Sequence, residues 1–100
     1  MKTLTNIDKA IFASQLQTVL ESGLNISDGL LIISQDKNSS VAELSGKIYE
    51  EVANGENFYD AVKRSEAFDE YFCSMVKVGE LSGTSDVIMK ELSSYYEKQE

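Results

Sequence analysis

The side chains able to do acid–base or metal chemistry in this 100-residue chain are 17 Asp and Glu, five Tyr, nine Lys and Arg, and one Cys, and there is no His. Without His, the commonest general base and the commonest metal ligand are both missing, and Ser–His and Cys–His nucleophilic arrangements are excluded. Cys73 is the single thiol, so neither a disulfide within the chain nor a Cys-rich metal site is possible, and a reducing compartment fits best. Its neighbours in sequence are Asp69, Glu70, Phe72, Met75 and Lys77. That setting predicts a buried structural thiol rather than an activated thiolate. The carboxylates fall as Glu50-Glu51, Asp69-Glu70 and the dispersed Asp60 and Glu66, none in the alternating spacing of a calcium loop, so they read as solvated surface. Gly79-Glu80-Leu81-Ser82-Gly83 has two glycines but no Lys to reach a phosphate and no strand before it, so it is not a phosphate loop. No catalytic residue, cofactor or metal site is expected, and the chain is not read as an enzyme.

What remains is binding. The excess of acidic over basic residues gives a net charge of −8, with no stripe of Lys or Arg. Affinity for nucleic acid comes largely from neutralising phosphates, so that partner class is disfavoured, as is an acidic membrane surface without a tether. Protein partners carrying basic patches are favoured, with Glu50 and Glu51 as candidate contacts. Tyr95-Tyr96 near the end reads as one ring in the core and one at the rim.

Positioning these groups falls to helices. The apolar spacing predicts six short helices and no strand. The first runs from about Asp8 to Ser22, with Phe12, Leu16, Val19 and Leu20 on one stripe and Gly23 closing it. Ser27 is expected to cap a second helix through Leu30-Leu31-Ile32-Ile33, whose small polar face predicts the most enclosed position. Ser40 caps a third, carrying Leu44, Ile48 and Val52 until Asn54-Gly55. Asn57, three residues before Asp60, opens a fourth with Phe58, Ala61 and Val62. Asp69 caps a fifth with Phe72, Met75, Val76 and Gly79 on one face, and Ser85 leads a sixth with Ile88, Leu92, Tyr95 and Tyr96 inward. Short connections favour antiparallel neighbours, so the fold class is all-α, a compact antiparallel six-helix bundle forming one domain over residues 1–100.

Three segments carry a family resemblance: Phe12 through Gly23 to Leu30; Ile48 through Gly55 to Val62; and Phe68 through Gly79-Glu80-Leu81-Ser82-Gly83. In order and spacing they resemble the type II secretion F family, covering roughly residues 9–98. The last segment is similar to the family's strongest motif, an apolar helix closing in Gly-Glu-x-Ser-Gly. The chain departs from the family pattern in having no proline. The resemblance implies a first cytoplasmic domain of a multi-pass protein at the bacterial inner membrane. It also implies a platform function, coupling a cytoplasmic assembly ATPase to pilin or pseudopilin polymerisation, commonly as an oligomer. The rival reading is a free-standing acidic helical adaptor or regulator.

Within that motif a structural role is expected. Gly79 lies on the apolar stripe and is expected to admit another helix closely, Gly83 to take a positive φ, and Glu80 to cap the start of the sixth helix.

Overall fold

The computed structural model describes residues 3–99 and places six helices among them: α1 (Asn6–Glu21), α2 (Ile26–Ser34), α3 (Ala42–Ala53), α4 (Phe58–Ser65), α5 (Glu70–Ser82) and α6 (Ser85–Glu97). No strand forms among the described residues. Each helix packs against its neighbour in sequence, and α6 returns onto α1 to close the ring, the α1–α6 interface being the largest. The start of α1 lies beside the end of α6, since Lys9 sits over the Tyr96 ring, and the start of α5 meets the same end through Tyr71 and Tyr95. Both α1 and α5 are therefore antiparallel to α6, as the short turns require.

The core forms where the predicted stripes converge. Phe12 and Leu16 of α1, Leu30 and Ile33 of α2, Ile48 of α3, Phe58, Ala61 and Val62 of α4, Phe72 and Val76 of α5, and Ile88, Met89, Leu92 and Tyr96 of α6 are all buried. Phe12, Phe68, Phe72 and Tyr96 form one aromatic cluster, with successive ring centroids 5.0, 4.3 and 5.7 Å apart, distances at which tilted and offset rings attract. Cys73 is buried, and its Sγ lies 3.9 Å from the Phe68 carbonyl oxygen. Burial, then the negative charge of Asp69, raises its thiol pKa above the ordinary value, which keeps the sulfur protonated and unreactive.

Several expected boundaries and caps differ. Helix α1 begins at Asn6, not Asp8, because Thr5 accepts a hydrogen bond from the Asp8 amide at 3.1 Å. Asn25, not Ser27, caps α2, accepting from the Asp28 amide at 2.8 Å. Ser40 does not cap α3; its hydroxyl donates to Asp8 at 2.7 Å, and the residue before α3, Val41, is a buried apolar plug with no side-chain cap. Ser85 leads α6 as expected, and the Thr84 before it makes no side-chain cap, its hydroxyl pairing instead with that of Ser82 at 2.6 Å. Asn57 and Asp69 cap α4 and α5 as expected, accepting from the amides of Asp60 and Phe72.

Helix α2 is not the most enclosed. Ile32 is exposed, while α1, held between α2 and α6, carries the buried run Lys9, Ala10, Phe12, Ala13 and Leu16. Tyr95, grouped with the inward residues of α6 by its spacing, lies at the rim; Met89 takes the inward place and Tyr96 is the buried ring of the pair.

Candidate functional site

The residues singled out in the sequence separate into two places. Gly79, Glu80, Ser82 and Gly83 close α5 and turn the chain into α6, whereas Glu50 and Glu51 lie near the end of α3. Gly23 and Gly55 follow α1 and α3, both with positive φ.

At the end of α5, Gly83 adopts φ 73° and its amide donates to the Gly79 carbonyl, with the Thr84 amide donating to the same oxygen at 2.9 Å. A β-branched residue tolerates this left-handed conformation poorly, so glycine is needed here. Ser82 donates its hydroxyl back to the Val78 carbonyl at 2.7 Å. Gly79 is buried for a different reason. A Cβ placed there would lie 3.0 Å from Ile88 Cγ1 and 3.1 Å from the Ser85 Cα, so α6 crosses α5 closely enough that any side chain would force its neighbours to shift.

Glu80 does not cap α6. Its carboxylate reaches across to α4, where Oε2 accepts from the Phe58 amide at 3.1 Å and Oε1 from the Tyr59 amide at 2.8 Å. Asn57 takes the next amide, that of Asp60, so three otherwise unpaired N–H groups at the α4 N-terminus are satisfied, two of them by a residue 21 and 22 positions further along the chain. A carboxylate on a helix N-terminus also gains from the helix dipole. The α5 motif therefore joins three helices: α4 through Glu80, α6 through Gly79, and α5 itself through Gly83. Replacing Glu80 by Ala leaves two amides to solvent and is expected to lower stability by about 1–2 kcal/mol, a thermal melt being the check. Glu80→Gln, which keeps the length of the side chain but not the charge, is expected to lose less.

Glu50 is exposed, but Glu51 is already engaged. Arg64 of α4 donates from Nη1 to Glu51 at 2.7 Å and from Nη2 to Glu56 at 3.2 Å. Those two carboxylates, Glu56 foremost, raise the guanidinium pKa still further above its ordinary value. Among the described residues the pair Glu50-Glu51 is thus not two unpaired charges but one unpaired and one neutralised across α3 and α4.

A third constellation lay outside the expected set. Lys9 of α1 is buried, its Nζ 3.8 Å from Asp69 Oδ1 and 5.0 Å from the centroid of the Tyr96 ring. The same Asp69 oxygen accepts from the Tyr96 hydroxyl at 2.5 Å and from the Phe72 amide at 3.4 Å. Burial, reinforced by that hydrogen bond, pushes the Tyr96 phenol far above the tyrosine range, so it is a fixed donor and not an acid. One carboxylate oxygen ties together the start of α1, the start of α5 and the end of α6. The signal was present in the sequence: Lys9 lies three residues before Phe12 and seven before Leu16, on the buried stripe.

Among the described residues, no three Cys, Asp or Glu side chains gather closely enough to hold a metal ion, and no helix is long and apolar enough to cross a membrane. The geometry describes an all-α domain whose marked residues hold helices to one another. The type II secretion system protein F family model matches residues 12–100, and the chain belongs to that family. It is 33% identical over 93 residues to the type IV pilus assembly protein PilC of Thermus thermophilus, covering 92% of this chain and 23% of that protein. It is likewise 33% identical over 96 residues to the type IV pilus assembly protein TapC of Aeromonas hydrophila, covering 94% and 23%. Against the type II secretion system protein F of Vibrio cholerae, identity is 28% over 95 residues, covering 93% and 23%. The chain spans about a quarter of the length of these relatives.

Proposed function

We propose that this chain is a cytoplasmic domain of a multi-pass inner-membrane platform protein for type IV pilus assembly or type II secretion. In this reading it is a binding module, not an enzyme, and couples the assembly ATPase to pilin or pseudopilin polymerisation through protein contacts, within a homo-oligomer. The family match over residues 12–100 is the observation that carries it. The relatives' names support assembly or secretion, and the net charge of −8 favours a partner with basic patches. The exposed carboxylate of Glu50, with no ion pair among the described residues, is the acidic contact this reading nominates on α3, ahead of the Arg64-bound Glu51.

The test is charge reversal within the whole protein, read in a piliation or secretion assay at matched protein level. Glu50→Lys is expected to reduce assembly several-fold without altering the melt, because an exposed rim charge steers association but contributes little to folding. Glu51→Lys is expected to lower stability as well, since it sets a cation against Arg64. Unchanged assembly with Glu50→Lys would place the partner surface elsewhere.

A further inference from the structure

Between the turn that ends α1 and the turn that ends α5 lies an open groove of about 330 Å³. Leu20 and Ile26 give it apolar surface, Glu80 and Asp86 two carboxylates, and Gly79, Gly83 and Ser85 complete the lining. No Lys or Arg lines it. Asp86, in the first turn of α6, makes no ion pair or side-chain hydrogen bond among the described residues. Glu80 spends its oxygens on neutral amides of α4, so its charge meets no side-chain cation. Three exposed apolar side chains stand next or nearly next in sequence to lining residues: Leu24, Val87 and Leu81, the last 79% exposed. An apolar wall beside an unpaired carboxylate, with no lining cation, suits an occupant that carries both an apolar and a basic side chain.

We infer that this groove docks a short segment of another protein in which an apolar side chain is followed closely by Lys or Arg. The apolar group would fill the space against Leu20 and Ile26 while the cation lies against Asp86, whose carboxylate has no partner among the described residues. Charge complementarity selects this occupant: a groove with two carboxylates and no lining cation repels an acidic segment, and a purely apolar one leaves Asp86 without a counter-charge. The inference rests on the reading of the chain as a protein-binding domain, but not on which assembly protein supplies the segment.

The test is a titration of the isotopically labelled chain with a short peptide alternating leucine and arginine, followed by amide chemical shifts, beside a peptide alternating leucine and glutamate. The expected result is perturbation concentrated at Ile26, Gly79, Gly83 and Asp86 by the basic peptide alone. Asp86→Lys is expected to weaken binding roughly tenfold, and Asp86→Asn less, while Glu50→Lys, on a helix that contributes nothing to the groove, leaves affinity within about twofold. Melting curves establish that each variant is folded. Perturbations spread over every acidic face, or equal losses from Glu50→Lys and Asp86→Lys, would overturn the groove as a specific site. So would concentration-dependent shifts of the same amides without peptide, which would assign it to a second copy of the chain. None of these failures touches capture of an ATPase through α3, so the two readings fall separately.

Discussion

Asp69→Ala is expected to destabilise the domain by about 3 kcal/mol, the largest loss from any single polar truncation in it. Three losses coincide. The α5 N-terminus loses its cap, the buried Tyr96 hydroxyl loses its acceptor, and Lys9, 5% exposed, is left as a buried ammonium without its counter-charge. The Asp69 side chain is itself partly open to solvent, which keeps the figure below that of a fully enclosed pair. Asp69→Asn separates the contributions, since an amide oxygen still caps α5 and accepts from Tyr96 but carries no charge for Lys9. Denaturant or thermal unfolding of both variants is the measurement; an Ala variant as stable as the native chain would show that the three-helix tie is incidental. The raised Tyr96 pKa adds a pH signature with a definite sign. A group that holds its proton more tightly when folded contributes stability that is complete below the ordinary tyrosine value of about 10 and is lost as pH rises beyond it. Tyr96→Phe should flatten that alkaline loss.

Gly79→Val is expected to cost about 2–3 kcal/mol by overpacking. Helix propensity alone argues the other way, because an interior glycine is about 1 kcal/mol worse than Ala. The clash wins because part of it is with the Ser85 Cα, a backbone atom that cannot rotate aside, and with the branched Ile88, fixed in the core. Relief requires α6 to move off α5, and α6 is also the main partner of α1. Gly79→Ala should lose less, its propensity gain offsetting part of the strain. Unfolding free energies of the two variants decide the matter, and a Val variant that equals the native chain would refute the close crossing.

How much of this was legible in the sequence depends on how far apart the partners lie. Local features were readable: the helical periodicity, the buried Cys73 and the caps at Asn57 and Asp69 all follow from spacing and neighbours within one or two turns, whereas which ring of Tyr95-Tyr96 is buried did not. Serines were over-read as caps. Ser27 and Ser40 each had the right residue type, but Asn25 already occupied the α2 cap position and Val41 was required in the core before α3. Glu80 shows the limit most clearly. Its place at the rim of the α5 stripe, and its need for helix-terminal amides, were both inferable. Which helix supplied them was not, because α6 follows immediately while α4 lies more than 20 residues back and is brought alongside only by the packing of α4 on α5. The identity of α1 as the enclosed helix was hidden by the four-residue apolar run in α2, which spreads around that helix and leaves Ile32 outside.

The central claim is that this domain works by binding a basic protein partner of the assembly machinery, and direct titration of the chain with the purified cognate assembly ATPase tests it. Calorimetry at low and at raised salt should show binding that weakens as ionic strength rises, because exposed carboxylates facing Lys or Arg are screened. Absence of binding at low salt, or binding of equal strength at both, would contradict the account.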